Sequence, residues 1–337
     1  MNNANHLGYL MITDYLKPNT GEDLSDAIQK VIDENPQRTL FFPDGEYLIS
    51  KPICTSGDPA KAVSLELANF AVIKAMPEWS SDEAMIRLGG KDPAFTIHAV
   101  GSNNYISGGV LDGSRVAKGL SIDSGREYSI RNISMKFVTL GLHIKYNAQY
   151  GSNDSDIFNV NIVGIGEAGS VGVLVAGFDN TLTNMRIADF ETGVKLTGAG
   201  NLMNNLHPLF IYRDSLDYKD SVGFRDASGG NWYTVCYPDN FATGFLLDGN
   251  TLSTFTDCYC YWYSANGGVE TAFASTGKFN SVIKNTRVDF RAETENRYLK
   301  VAEDGGAGVI DNPIFDPGRC VEEDYKKHLS GRVITRK

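Results

Sequence analysis

Arg186, His207 and Tyr237 occupy one position of a phrase that the chain repeats, and they supply a cation, an imidazole that can carry a proton, and a phenol. Carboxylates cluster on the same stretches: Asp189 and Glu191 follow Arg186, Asp239 follows Tyr237, and Asp226 lies between. Cleavage of a glycosidic bond uses two carboxyl groups, about 5–5.5 Å apart for retention or about 6.5–9.5 Å for inversion. Asp189, Asp226 and Asp239 are therefore candidate acid, base or nucleophile. His207 is a candidate for assisting proton transfer, and Arg186 and Tyr237 for orienting hydroxyls. An elimination would instead use His207 or Tyr237 as base against a C5 proton, with Arg186 neutralising a uronate.

These residues meet only if the chain winds. A glycine followed by alternating apolar residues recurs at Gly119, Gly141, Gly172, Gly193, Gly223, Gly244 and Gly268, at intervals of 22, 31, 21, 30, 21 and 24 residues by subtraction. Such intervals suit one coil of a solenoid and are too short for a βαβ unit. Between the glycines lies a second phrase, typically Asn and then alternate apolar residues: Asn132-Ile-Ser-Met, Asn159-Val-Asn-Ile, Asn184-Met-Arg-Ile, Asn205-Leu-His-Pro, Val235-Cys-Tyr-Pro, Thr254-Phe-Thr-Asp and Asn285-Thr-Arg-Val. Period-two alternation marks half-buried strands, and Gly, Asn and Asp supply the turns. The pattern predicts an all-β, right-handed parallel β-helix; a β-propeller needs about 40–45 residues per blade.

Coils stack about 4.8 Å apart, so equivalent positions form columns. The outward column of the Asn phrase reads Ser134, Asn161, Arg186, His207, Tyr237, Thr256, Arg287. That of the Gly phrase reads Ser121, His143, Leu174, Lys195, Arg225, Leu246. Lys195 and Arg225 become candidate substrate contacts. Neighbouring coils, or residues i and i+2 at about 6.6–7 Å, deliver carboxyl separations of the required size. Asp226 stands where sibling copies have Val175, Leu196 or Leu247, and a position that breaks its repeat is a candidate functional one. In the alternative reading the strand stops one residue early and Asp226 belongs to the Ala-Ser-Gly-Gly turn.

The interval after Gly193 contains an insertion, residues 209–221, that carries Arg213, Asp214 and Asp217 and is expected to wall a groove over His207. Aromatic residues crowd the following coils: Trp232, Tyr233, Tyr237, Tyr259, Tyr261, Trp262 and Tyr263. Flat faces with polar tips suit sugar rings, and Trp232 and Trp262 are the expected platforms.

Upstream the rhythm changes. Leu24, Ala27, Ile28, Val31 and Ile32 form a helical stripe with acids in its first turn, which predicts a short helix covering the open end of the solenoid. The expected organisation is one domain, 1–337, with an N-terminal cap and first strands over 10–55, coils over 100–315 and a C-terminal tail over 316–337.

Charged residues make up 21% and hydrophobic ones 42%, with no apolar run near 18 residues, so no transmembrane helix is expected. Residues 1–8 lack a basic start and an apolar stretch. The expected location is cytoplasmic if Met1 is native, and secreted or periplasmic if a signal peptide was removed. Cys54, Cys236, Cys258, Cys260 and Cys320 fit neither a disulfide framework nor a zinc pattern; Cys258 and Cys260 share one face of a strand and read as interior hydrophobes, and no metal site is expected. A net charge of −10 disfavours nucleic acid and tilts the expectation toward a neutral glycan, while Arg186, Lys195 and Arg225 keep a uronate in view. His98 and His328 stand alone and read as structural or solvated.

The succession Ile12-Thr-Asp-Tyr, Asp26-Ala-Ile-Gln, Leu40-Phe-Phe-Pro-Asp-Gly-Glu-Tyr-Leu-Ile-Ser and Ile106-Ser-Gly-Gly-Val-Leu-Asp-Gly resembles the pectate-lyase-like β-helix superfamily, in the branch shared by bacterial polysaccharide-degrading enzymes and phage tail proteins. The resemblance implies a carbohydrate-facing β-helix with a poly- or oligosaccharide partner and a homo-oligomer, a trimer favoured. It does not choose the reaction. The Asn-Thr-Asp, Gly-His-Gly and Arg-Ile-Lys stretches of polygalacturonases, the Trp-Ile-Asp-His of pectate lyases and the Asp-Pro-His-Glu of alginate epimerases are absent, so no catalytic residue is carried over. The expected activity is glycoside hydrolysis or transglycosylation without a cofactor. The alternatives are a uronate lyase, where calcium enters, and a non-catalytic glycan-binding or phage tail β-helix.

Overall fold

Stacked aliphatic columns are the organising feature of the computed structural model, which describes residues 9–93, 101, 103–264, 268–293, 295–321 and 323–335. His98 and residues 1–8 lie outside the described residues. The chain forms a right-handed parallel β-helix, and its contacts gather into two compact units, Met1–Ile165 and Gly166–Lys337. Among the described residues no helix is long and apolar enough to cross a membrane.

In the first unit, parallel pairing brings Leu40, Leu65, Ile106, Ile130 and Ile157 into one interior file. A second file runs Ile53, Ile86, Leu120, Leu142. All are buried. Residues distant in sequence thus bury one continuous apolar column, at roughly 25 cal/mol per Å² removed from water. The helix Ser25–Glu34 buries Ile28, Val31 and Ile32, and Gln29 exchanges hydrogen bonds with the Cys54 backbone, its amide donating 2.9 Å to the carbonyl and its oxygen accepting 2.8 Å from the N–H. That contact covers the edge of the strand Ile53–Ser56, the end-capping role predicted from the helical stripe.

In the second unit, one sheet files Val194, Phe224, Phe245, Phe273 and Leu299, and the other files Met203, Tyr233, Phe255, Ile283 and Ile310. The phenyl rings of Phe224, Phe245 and Phe273 stack at 4.9 Å steps, and Tyr233 stacks on Phe255 at 4.5 Å. Near the C-terminal end, Tyr325 of the helix Glu323–Lys326 is buried against Phe315. Cys236, Cys258 and Cys260 are buried thiols without disulfide partners, in keeping with the interior reading.

The asparagines of the second phrase are sharp corners. Asn184, Asn205, Val235, Asp257, Asn285 and Asn312 all have left-handed backbones, with φ of 54°, 55°, 54°, 55°, 51° and 48°. Each turns the chain within one residue, and Asn205 Nδ2 donates 3.2 Å to Asn184 Oδ1 across coils. The same corner in the first unit uses Asn132 and Asn159, whose side chains bond at 2.9 Å. Asp257, and not Thr254, holds the corner of its coil. Thr256 therefore lies before the bend, paired with Thr234 and Lys284, and leaves the outward column in which the spacing had placed it.

Candidate functional site

The strands Thr181–Ala188 and Leu202–Leu209 pair in register, setting Arg186 beside His207 while Met185, Leu206 and Ile187 face inward. One coil on, the Tyr237 N–H donates 2.9 Å to the Leu206 carbonyl, and its ring lies on His207 with centroids 3.8 Å apart and planes 17° apart. Tyr259 stacks on the other face of Tyr237 at 5.5 Å, and the Arg287 guanidinium sits 4.7 Å over Tyr259. The second unit thus carries an outward file of Arg186, His207, Tyr237, Tyr259 and Arg287.

Two residues further along each strand runs a parallel file: Leu209, Asp239, Tyr261, Asp289. Asp239 is 8% exposed; its Oδ2 lies 3.5 Å from His207 Nε2, while its Oδ1 is buried with no hydrogen-bond partner among the described residues. Asp289 accepts from Tyr259 Oη at 2.7 Å and from the Arg287 guanidinium. Burial and then the hydrogen bond to Asp289 raise the Tyr259 phenol well above its ordinary value. Burial and then Asp239 raise Tyr237, with Arg186 opposing. Both phenols stay protonated donors at neutral pH. A 410 Å³ cavity continues past Tyr261 and Asp289, lined also by Arg291, Asp316 and Arg319.

The other residues singled out by sequence fall elsewhere. Asp189 is 4% exposed and held by both arms of Arg213, Nε to Oδ1 at 3.0 Å and Nη2 to Oδ2 at 2.7 Å. Its acceptors are occupied, and the pair anchors the insertion, as does the Ser215 hydroxyl donating 2.5 Å to the Gly166 carbonyl. The insertion buries Phe210, Leu216 and Tyr218 against Phe241 and Ala242. Asp226 is 1% exposed and points into the coil, in register with Leu196 and Leu247. It accepts from Tyr233 Oη, Ser253 Oγ, Asn231 Nδ2 and the Ser228 and Gly229 N–H groups, so it is the hub of an interior polar network. The strand does run through Asp226, and its carboxylate is inside.

Lys195 and Arg225 are register neighbours on the second sheet, away from the His207 file, and Arg225 donates 2.7 Å to Asp248. Trp232 is 50% exposed but lies before the Val235 corner, on a different facet from Tyr237. Trp262 is buried, donates 2.6 Å to the Phe241 carbonyl and stacks on Phe290, leaving no face for a sugar. The structure therefore brings together Arg186, His207, Tyr237 and Asp239. It adds Tyr259, Tyr261 and Asp289: reading Thr254-Phe-Thr-Asp as the repeat phrase sets that corner three residues early and misplaces Tyr259 and Tyr261, for which the Asp at 257 is the available signal, while Asp289 follows Arg287 on a strand whose corner, Asn285, is read correctly. Among the described residues no group of three or more His, Cys, Asp or Glu side chains is placed to hold a metal ion.

Fold and site define a right-handed parallel β-helix with a stacked cation, imidazole and phenol file on one outer facet. The chain is similar to PfbA, a surface adhesin of Streptococcus pneumoniae, at 11% identity and TM-score 0.59, covering 98% of this chain and 93% of that one. It is similar to endo-xylogalacturonan hydrolase from Aspergillus tubingensis, at 11% identity and TM-score 0.61, covering 97% and 100%. An alginate lyase from Paenibacillus sp. matches at 11% identity and TM-score 0.55, covering 93% and 97%. These likenesses concern the fold. No family model and no curated protein sequence matches the chain.

Proposed function

We propose that this protein binds a poly- or oligosaccharide along the file Arg186–His207–Tyr237–Tyr259 and cleaves or transfers its glycosidic bonds with Asp239 and Asp289. The observation that carries the reading is the Asp239 Oδ1, buried beside the file and without a donor among the described residues. An unpartnered buried oxygen costs about 1–3 kcal/mol, a deficit that a ligand hydroxyl would relieve. Its fold neighbours support a carbohydrate partner through the substrates their names carry, xylogalacturonan and alginate.

Asp239 and Asp289 lie on one file with Tyr261 between them. At about 4.8 Å per coil their backbones are about 9.6 Å apart, close to the upper edge of the carboxyl spacing for inversion. In that arrangement Asp289 takes a proton from water as the water oxygen attacks the anomeric carbon. Asp239, exchanging protons with His207, protonates the leaving oxygen as its bond to that carbon breaks. The Arg287 and Tyr259 bonds keep Asp289 an acceptor, while Tyr237 and Arg186 orient hydroxyls.

The test incubates the protein with a panel of neutral and uronate glycans and reads products by mass spectrometry. Products whose masses sum to substrate plus one water, lost in Asp239→Asn while glycan binding persists, are expected. Unsaturated products would redirect the reading to elimination. Binding without turnover in the unaltered protein would reduce it to a glycan-binding β-helix.

A further inference from the structure

The first unit carries a second constellation that the file around His207 does not use. On the strands Ala84–Lys91, Lys118–Ile122 and Leu140–Ile144, the register aligns Arg87, Ser121 and His143 on the outer face. Beside them is a 180 Å³ cavity lined by Asp82, Glu83, Lys118, Ser121, His143 and Lys145, with Ala84 and Leu140 as apolar wall. At about 30 Å³ per water, it holds about six waters, or one six-membered sugar ring with its hydroxyls.

Its charges are already matched. Lys118 donates 2.6 Å to Asp82, and Lys145 donates 2.5 Å to Glu83 and 3.2 Å to Asp123. Asp123, buried behind the cavity, also takes the Arg87 guanidinium and the Ser121 hydroxyl. An anionic ligand would have to displace a carboxylate from its cation, and a cationic ligand would have to displace an ammonium. A neutral ligand rich in hydroxyls displaces neither: carboxylates accept from it, ammonium groups donate to it, and both ions stay paired.

His143 is the group without a partner. Neither of its ring nitrogens hydrogen-bonds within the described residues, and burial, with Lys145 adding to it, holds its pKa down to about 4. The ring is neutral at pH 7 and offers one donor and one acceptor to the cavity.

We infer that this cavity is a binding site for one neutral pyranose ring, held by His143, Glu83 and Lys118 independently of the file in the second unit.

Ligand-observed saturation-transfer NMR with methyl glycosides of neutral hexoses, and with their uronate counterparts, tests this on the full chain. Saturable binding of at least one neutral glycoside is expected, with the matching uronate at least tenfold weaker. His143→Leu should abolish the signal and Lys118→Gln should weaken it several-fold, each with an unchanged thermal midpoint to show an intact coil. Tyr237→Ala, in the other site, should leave it intact. Equal or tighter uronate binding, full binding in folded His143→Leu, loss of the signal in Tyr237→Ala, or no neutral glycoside bound at tens of millimolar would each overturn the assignment. Failure here leaves the Asp239 reading untouched, because that reading is scored by product masses and Asp239→Asn.

Discussion

Val235 is the one β-branched residue in the file of corners, and replacing it by Asn should stabilise the second unit. Its φ of 54° matches the 55° of Asn205 and of Asp257 at the corners on either side, yet its side chain is 48% exposed and has little packing to offset that conformation. A left-handed backbone costs an L-residue roughly 1–2 kcal/mol, with β-branching at the unfavourable end. Asn tolerates the conformation. It would also extend the amide ladder, since Asn205 already donates to Asn184 and an amide at 235 falls next in line. That bond adds about 0.5–1.5 kcal/mol. Against it stands the lost half-burial of Val, about 1 kcal/mol. The net expectation is about 1–2 kcal/mol of stabilisation, or about 2–8 °C at about 2–4 °C per kcal/mol for a unit of this size. Urea denaturation of Val235→Asn and Val235→Gly, with Asn205→Val as the reverse control, measures it. A higher midpoint at unchanged slope is expected for Val235→Asn and a lower one for Asn205→Val. If both Val235 variants lower the midpoint, corner strain is not what the file of asparagines relieves.

Three other perturbations follow from the geometry. Asp226→Leu restores the aliphatic of the sibling coils but strands Tyr233 Oη, Ser253 Oγ and the Gly229 N–H, so it should destabilise by about 3–5 kcal/mol in chemical denaturation rather than improve the repeat. Tyr237→Ala removes a ring stacked between His207 and Tyr259; affinity for whichever glycan the panel identifies should fall about fivefold, from about 1 kcal/mol of stacking, by calorimetric titration. Asp23 at the start of the N-terminal helix is raised by burial but lowered further by the Ser25 and Ser50 bonds, to about 2 from 3.8. A depressed acid stabilises the fold above its unfolded pKa and loses that contribution as pH falls through the folded one. Protection of the amides over Ser25–Glu34, each rate being referred to the intrinsic exchange rate at that pH, should therefore fall between about pH 4 and pH 2, and Asp23→Asn should flatten that step.

The winding was legible because glycine and asparagine recur at coil length, and the interior files follow from period-two alternation within each phrase. The corner was harder to see. A one-residue bend leaves no composition signal beyond one Asn per coil, and where Val235 and Thr254-Phe-Thr-Asp replace it the phase can be read at two places. Taking Thr254 as the corner puts Thr256 in the outward column and hides Tyr259 and Tyr261, whereas Asp289 lies two residues past Arg287 on a strand whose corner, Asn285, is plain. Long-range partners were invisible for a different reason. Nothing near Asp189 in sequence announces Arg213, and the aromatic richness around Trp262 gives no sign of which rings stack inward.

Asp226 and Asp239 show how the same side chain acquires opposite roles in this fold. Asp226 breaks an aliphatic file, standing between Leu196 and Leu247, whereas Asp239 stands between Leu209 and Tyr261 in a mixed one. Side chains alternate across a strand, so the distance from the preceding corner decides the face. Asp226 falls on the inward parity, where only full hydrogen bonding makes a carboxylate tolerable, and the fold surrounds it with donors. Asp239 lies at the rim next to His207, where one oxygen is left without a donor. Full enclosure by donors marks Asp226 as a structural acid, and the open oxygen is what recommends Asp239 as the proposed proton donor, so the search for that donor on such a coil begins with outward-parity carboxylates whose hydrogen bonding is incomplete.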